Sequence, residues 1–403
     1  MSVSPAHILA FATKGTATNE ELRLRKLLSA TSAEFLPFDK KAKRRSFLGL
    51  VRRIFRDRPD LVVMEGSGLA GGLACLLGRI TGRCRYVVSS GDAVGPFVAA
   101  HRAWAGPLFA LYERLLCRLS DGFVGWTPYL TGRALTFGAP RAVTACGWAP
   151  SPLDPSTALQ ARQSIRQKLG IAPEVIVFGL AGALHWNSRR RYCYGMELLE
   201  ALLKVKRPDL CVLIVGDGTG MDKLRQLAGQ AARKGVFLPG QVAMEHVPHY
   251  LAAMDVASLP QSLDGVGSFR YTTKISEYAA AGLPMVTGRL PLAYDLDDGS
   301  IWRLPGSTPW SPIYIDALVD LMRQINQRML LAAKARVNSH RPEFDCAKQV
   351  ERVTGFICEL LEDRGRRRST AKARTSDKPL ADLSVALARP AINKFSHDGS
   401  SSN

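Results

Sequence analysis

The sequence predicts an α/β protein built from two doubly wound, Rossmann-like domains that face an interdomain cleft. Three observations lead there. Short apolar runs of strand type alternate with helical stretches along most of the chain, the pattern of a parallel sheet with crossover helices. A proline-rich stretch, Ala149 to Pro155, interrupts the alternation once, after which it restarts. The chain has 403 residues, 46% hydrophobic and 22% charged, which is longer than one core usually supports.

In the first half, strands are expected at His7 to Ala12, Glu34 to Pro37, Leu61 to Glu65, Arg85 to Ser89, Gly122 to Trp126 and Ala142 to Cys146, with helices between them. A short helix, Ala158 to Leu169, follows the proline-rich stretch and stops at Gly170. The second half opens with a strand at Glu174 to Ala181. Next come a helix at Gly195 to Lys204, a strand at Leu210 to Val215, a helix at Asp222 to Lys234 and a strand at Val236 to Leu238. A helix at Pro248 to Met254 and a strand at Val256 to Leu259 continue the order. Glu277 opens a further helix, Met285-Val286 starts a strand, and one long helix covers Ile313 to Ala333. Phe344 to Leu361 carries apolar residues at helical spacing. The domains expected are 1–150, a linker with a short helix at 151–170, a second domain at 171–340, a C-terminal helix at 341–363, and a disordered basic tail at 364–403, polar and poor in large apolar residues.

No apolar run reaches the roughly 18 to 20 residues that span a bilayer. The longest, Phe97 to Leu119, is broken by His101, Arg102, Glu113, Arg114 and Arg118. The N-terminal residues show no signal-peptide pattern. Eight scattered cysteines form no C-x-x-C pair and no metal cluster with the seven histidines, so free thiols in a reducing cytosol are expected, without zinc. Net charge is +19, and residues 40–58 and 364–403 carry +8 and +6 of it. Localised basic charge suits an anionic partner. Residues 40–58 form a candidate amphipathic helix, with Phe47, Leu48, Val51, Ile54 and Phe55 on one face and Arg45, Arg52, Arg53 and Arg56 on the other. It is either a helix packed on the sheet with a solvated basic face or a contact to anionic membrane. No zinc finger, RNP or helix-turn-helix motif points to nucleic acid.

The chemistry concentrates in the second half. Ile214-Val215 runs into Gly216-Asp217-Gly218, and side-chain-free residues at a strand's C-terminal end let a ligand approach the backbone; the bland reading is a plain turn. Thr272-Thr273-Lys274 leads into Ser276 to Thr287, SEYAAAGLPMVT. Here Glu277 sits at a helix start, Gly282 supplies a left-handed cap and Pro284 forbids continuation. A carboxylate so placed suits a ribose or sugar hydroxyl.

These segments, in this order over roughly residues 174 to 290, resemble the donor domain of retaining group 1, family 4-like glycosyltransferases, which have the GT-B fold; the first half resembles the acceptor domain only loosely, as in DGFVGWTPYLTGRALTFGAP. The resemblance implies a hexosyltransferase that moves a sugar from a nucleotide-diphosphate sugar to a glycan or lipid-linked acceptor. Configuration would be retained, with no metal and no cofactor, in the cytoplasm or peripherally on the inner membrane face. By position, Glu277 would contact the donor ribose and Lys274 the phosphates or sugar. Gly182, Gly216, Asp217 and Gly218 would line the nucleoside site with Thr273, and Gln241-Val242 would face the base. Two positions depart from the family pattern. Phe269 stands where a first glutamate is usual, with Asp264 as a substitute from a longer loop. Ala183 and Tyr194 stand where an arginine and a lysine are usual, with Arg189-Arg190-Arg191 between them as replacement phosphate clamp; otherwise the donor site is altered or inactive.

A competing motif lies in the first half. Gly66-Ser67-Gly68-Leu69-Ala70-Gly71 fits G-x-G-x-x-G after a strand, with Asp92 further on, and would make a dinucleotide-dependent oxidoreductase. The alternative is that its glycines let the helix pack closely. Under the transferase reading Glu65 and Asp92 sit at strand ends facing the cleft, and Asp92 is either an acceptor contact or general base, or a turn cap. His185-Trp186 either stacks on substrate or packs. A third reading is an inactive basic adaptor for membrane or polyanion.

Overall fold

Runs of buried Val, Ile, Leu and Phe pair as parallel strands, and helices cover both faces of each sheet. The computed structural model describes residues 6–230 and 235–376, with residues 230 and 364–376 as backbone alone. The first half contains β1 (Ile8–Ala12), α1 (Asn19–Leu27), β2 (Glu34–Phe35), α2 (Lys43–Asp57), β3 (Leu61–Glu65), α3 (Leu69–Ile80), β4 (Tyr86–Ser90), α4 (Val94–His101), α5 (Gly106–Arg118), β5 (Gly122–Gly125), α6 (Pro128–Thr136) and β6 (Ala142–Thr144). After α7 (Pro155–Leu169) come β7 (Ile176–Ala181), α8 (Met196–Lys204), β8 (Leu210–Val215), α9 (Met221–Gln230), β9 (Val236–Gly240), α10 (Val247–Ala252), β10 (Val256–Leu259), α11 (Thr273–Ala280), β11 (Met285–Gly288), α12 (Pro291–Asp295) and β12 (Ile301–Leu304). The chain closes with α13 (Pro312–Gln324), α14 (Gln327–Lys334) and α15 (Cys346–Ser376).

Among the described residues these strands form two six-stranded parallel sheets, ordered β2-β1-β3-β4-β5-β6 and β12-β11-β10-β7-β8-β9. Both orders reverse direction once, between β1 and β3 and between β7 and β10. Ligands of open α/β sheets bind outside the strand C-termini at such a switch point. In the first lobe, α2, α3, α5 and α6 share one core with one sheet face; α1 packs on the opposite face. Val353, Phe356, Ile357 and Leu360 of α15 join that second core, beside Ile8, Val63 and Val124. Residues up to Leu361 form one compact unit; Glu362 begins a second.

The structure corrects four local expectations. The stretch 313–333 is two helices: Ile325 takes an extended ψ of 137°, and the Asn326 side chain accepts from the Met329 N–H to cap the second. Strand β12 was not expected from the sequence; it is a four-residue edge strand beside β11. The last helix runs past Asp363 to Ser376, where the sequence suggested disorder, and residues 377–403 lie outside the described residues. In α2, Leu48 is exposed rather than on the packed face, and only Leu50 and Ile54 are fully buried.

The six glycine-rich residues after β3 serve packing. A Cβ at Gly66 or Gly68 would strike Thr13, one at Gly71 would strike Phe11, and one at Gly72 would lie 1.9 Å from the Tyr112 hydroxyl. They bring α3 down onto β1 and α5, which is the close-packing alternative to a dinucleotide fingerprint.

Candidate active site

The site is built at the second switch point. Strands β7 and β8 pair in register, Ala181 beside Val215, so Gly182 and Gly216 follow side by side. Both have positive φ, +149° and +138°, and a Cβ on Gly216 would lie 1.9 Å from the Gly182 carbonyl oxygen. Any side chain there would push the two turns apart. Gly218 meets Leu184 in the same way, and the exposed Asp217 carboxylate accepts from the Gly218 N–H at 2.7 Å.

Helix α11 delivers the charges to these turns. Lys274 lies in its first turn, and its ammonium reaches over Gly182: a Cβ built on that glycine would sit 2.4 Å from Nζ. The ammonium is 5.3 Å from the centre of the Tyr194 ring. Among the described residues Lys274 makes no ion pair. Burial pushes its pKa down, with Arg270 adding to the effect and Glu277 opposing it. Glu277 is half-buried, and burial raises its carboxyl against the pull of Lys274 and Thr273. Glu277 does not open the helix as the sequence suggested. The cap is Thr272, so Glu277 falls in the second turn, one turn below Lys274 and on the same face. Thr273 is exposed at the first position. Gly282 has φ +66° and ends the segment as expected.

Arg270, four residues before Lys274, was missed in the sequence. Its Nε donates to Asp92 Oδ1 at 2.7 Å across the two lobes. Burial opposes its charge, but Asp92 outweighs it and holds the guanidinium pKa up. Its Nη groups make no hydrogen bond among the described residues. Asp92 is thus half of a strut between the lobes, and its Oδ2 makes no hydrogen bond among the described residues. Thr127 Oγ1 donates to the Phe269 carbonyl at 2.9 Å in a second strut. Arg270 precedes α11, whose cap is the extended Thr272, so no helical spacing marks it; its one signal is a cation in the lead-in to Lys274.

The arginine run is the tip of a small hairpin closed by an Asn187–Tyr192 bridge. All three side chains are exposed. Arg189 donates to the Ala100 carbonyl at 3.1 Å in the other lobe. Arg190 pairs with Asp264 at 3.2 Å and lies 5.2 Å over the Trp310 ring. Arg191 has φ +49°. Asp264 is also committed: it accepts from Ser262 Oγ at 2.9 Å and from the Val266 and Gly267 N–H groups at 2.9 and 2.8 Å. Val242 is half-buried against the core under β9, and His185 is exposed beside a half-buried Trp186.

The first lobe treats its strand-end carboxylate differently. Glu65 is 1% exposed. It accepts from Arg23 Nη1 at 3.0 Å, Ser89 Oγ at 2.7 Å and Trp126 Nε1 at 3.1 Å, with the Arg23 guanidinium 4.1 Å over the Trp126 ring. Glu65 is thus a buried, fully bonded group and does not face the cleft. Beside β1 and β2 a groove of about 740 Å³ opens, lined by Lys14, Thr16, Phe38, Lys40, Lys41 and Arg45 among others. Among the described residues no group of three or more His, Cys, Asp or Glu side chains is placed to hold a metal ion.

Comparison with known proteins agrees with this layout. Residues 175–304 match the family described as Glycosyl transferases group 1, and residues 9–146 match the Glycosyl transferase 4-like domain. The chain carries the domains of a GT-B glycosyltransferase. Its fold is similar to Anabaena HepE in complex with UDP and glucose, at 15% identity and TM-score 0.63, covering 88% of this chain and 99% of that one. It is similar to sucrose-phosphate synthase from Thermosynechococcus elongatus at 12% identity and TM-score 0.58, covering 91% and 100%. It is also similar to the lipopolysaccharide outer core galactosyltransferase WaaB in its apo form, at 12% identity and TM-score 0.54, covering 85% and 98%. No curated protein sequence matches the chain. The two family matches leave α15 and the chain beyond it outside.

Proposed function

We propose that this glycosyltransferase takes a hexosyl group from a nucleotide-diphosphate sugar bound at the turns of Gly182, Gly216 and Gly218. It transfers the sugar to a glycan or lipid-linked acceptor with retention of configuration. The observation that carries the reading is Lys274: a half-buried ammonium with no ion pair among the described residues, poised over side-chain-free backbone at a sheet switch point. A buried cation without a counter-charge is costly, and a diphosphate would supply the counter-charge.

Each side chain then has a role. As the bond from the anomeric carbon to the phosphate oxygen breaks, negative charge builds on the leaving diphosphate. The Lys274 ammonium and the free Nη groups of Arg270 meet that charge, so the protein's own cations replace a metal. Glu277 accepts from a ribose or sugar hydroxyl, and Asp217, Thr273 and Val242 border the nucleoside. The clamp role expected of the arginine run passes mainly to Lys274 and Arg270. Arg191 is the member of the run best able to reach a ligand, since Arg189 and Arg190 are engaged elsewhere. Asp92 orients Arg270 and keeps its charge. The basic groove of Lys40, Lys41 and Arg45 takes an acceptor that carries negative charge. A uridine donor is the first to try, because HepE is complexed with UDP.

A thermal-shift panel of UDP, GDP, ADP and NAD tests the reading. One nucleoside diphosphate should raise the melting temperature of the wild type and fail to do so with Lys274→Ala. Stabilisation by NAD alone, or by no nucleotide, would overturn it.

A further inference from the structure

The Lys274 ammonium has no ion pair and no hydrogen bond among the described residues, yet it has a neighbour. It stands over the face of the Tyr194 ring, 5.3 Å from the ring centre. That is inside the roughly 6 Å at which the negative face of an aromatic ring attracts a cation. The attraction grows where water is excluded, and both side chains are half-buried. Burial works against the charge of Lys274, and the ring face offsets part of that cost.

The chain on both sides of Tyr194 is fixed, so the ring is held in place from below. Glu197, at the start of α8, is fully buried. One of its oxygens accepts from the Tyr192 hydroxyl at 2.7 Å and from the Gly195 N–H at 2.9 Å, and the other accepts from Ser258 Oγ of β10 at 2.9 Å. Gly195 has φ +96°, and a Cβ there would lie 2.6 Å from the Ile214 side chain. The Tyr192 ring meets the Tyr194 ring edge-on at 6.2 Å. The Tyr194 hydroxyl itself makes no hydrogen bond among the described residues, so its polar end does not account for where the ring lies.

The charged groups around this pair come from several elements. On α11, Glu277 favours the ammonium; before that helix, Arg270 opposes it and is bonded to Asp92. Arg190 of the hairpin is bonded to Asp264 in the loop after β10, and both act on Tyr194, as does Glu197. Among the described residues no carboxylate lies within ion-pair distance of Lys274. A lysine at 194, the residue usual in the family at this place, would set a second ammonium beside the first. The tyrosine removes that repulsion and presents a π face instead.

We infer that Tyr194 is a positioning residue for Lys274: its ring is the resident partner that holds the ammonium over Gly182, charged, before a diphosphate arrives. The diphosphate in this statement rests on the nucleotide-sugar reading; the pairing of ring and ammonium belongs to the empty protein and is tested there.

The test is competitive acetylation with acetic anhydride across pH, with labelling of Lys274 mapped by mass spectrometry in the full chain without ligand. Only the neutral amine reacts, so the midpoint of labelling reports where Lys274 loses its proton. Tyr194→Phe keeps the ring face and should leave the midpoint at the wild-type value. Tyr194→Leu and Tyr194→Met remove the face, which disfavours the ammonium, and should move the midpoint to lower pH by roughly one unit, the size of a partly desolvated cation–π contact. Two replacements are used so that a packing defect in one does not decide the outcome, and melting temperatures are measured alongside. Two results would overturn the inference: leucine and methionine variants whose midpoints equal or exceed that of the wild type, or a phenylalanine variant that shifts as far as they do. Labelling repeated with UDP separates the two readings. Protection of wild-type Lys274 by UDP is expected of the nucleotide site, and its absence would count against that site while the midpoints still decide the role of Tyr194.

Discussion

The two lobes place charged side chains at equivalent points, the C-terminal ends of strands beside a switch point, and treat them oppositely. In the first lobe Glu65 is enclosed by Arg23, Ser89 and Trp126, and both of its oxygens have donors. In the second lobe Lys274 and Glu277 lie one turn apart on α11, Lys274 reaches over Gly182, and it has no ion pair among the described residues. A strand-end charge whose hydrogen bonds are complete is scaffold. One that is half-buried and left open is, on the proposed reading, a ligand contact. Further experiments bear on that distinction.

The largest effect belongs to the scaffold side. Glu65→Ala leaves the Arg23 guanidinium buried without its counter-charge, and should cost roughly 3 to 5 kcal/mol in urea unfolding. The variant that remains folded should bind nucleotide as the wild type does. Strong loss of binding without loss of stability would break the comparison.

The second lobe has a completed charge of its own, which sharpens the contrast within a single domain. Asp255 is buried and bonded to Arg162 at 2.7 Å, Arg166 at 2.6 Å and Lys334 at 2.8 Å, joining α7 and α14 to the start of β10. Burial alone would raise its carboxyl, but Lys334, Arg162 and Arg166 outweigh it and hold the group below the usual range. The sign follows from linkage. The stability this group contributes is complete above its unfolded pKa of about 4 and is lost as pH falls through the depressed folded value. Asp255→Asn should therefore lower stability at neutral pH by on the order of 3 kcal/mol, and the difference from wild type should shrink as the solution is acidified. Denaturation curves of both proteins across pH check it.

On the ligand side, Lys274→Ala should cut turnover by on the order of a hundredfold, as removal of a charge contact made in the transition state does, with an unchanged melting temperature in the absence of nucleotide. Glu277→Gln should cost roughly 1.5 to 3 kcal/mol in donor affinity and turnover together, the value of a charge-assisted hydrogen bond. Steady-state kinetics with a competent donor and acceptor separate the two.

Much of this was legible in the chain. The alternation of strand and helix located both lobes, and no strand end expected from the sequence moved by more than two residues. Gly216 and Gly218 were readable as a side-chain-free turn at a strand end, but their contacts with Gly182 and Leu184 were not, because those depend on the register of β7 with β8. Phe269 stands eight residues before Glu277, and the residue beside it is Arg270. Its partner Asp92 lies 178 positions away, and no local pattern joins them. Likewise the arginine run was visible as charge, while its commitment to Asp264, Trp310 and the Ala100 carbonyl is tertiary. The division of 313–333 into two helices turned on Asn326, a good cap hidden within a continuous apolar pattern.

The smallest kinetic effect is expected at Arg189. It donates to a backbone carbonyl from an exposed position, so Arg189→Ala should change turnover by about twofold or less, in the range of an exposed contact. A large loss would return the phosphate clamp to the hairpin and weaken the case for Lys274.

The central claim is that the open charge on α11 is the nucleotide site. The most direct measurement is nucleoside diphosphate affinity as a function of pH, by calorimetry, for the wild type, Lys274→Arg and Lys274→Met. Burial lowers the Lys274 pKa, so its positive charge is lost as pH rises through a value below that of an ordinary lysine. Wild-type affinity should fall on the alkaline side, the fall should move to higher pH with arginine, which stays charged, and it should vanish with methionine, whose affinity is low throughout. An alkaline profile that is the same in all three proteins would contradict the account.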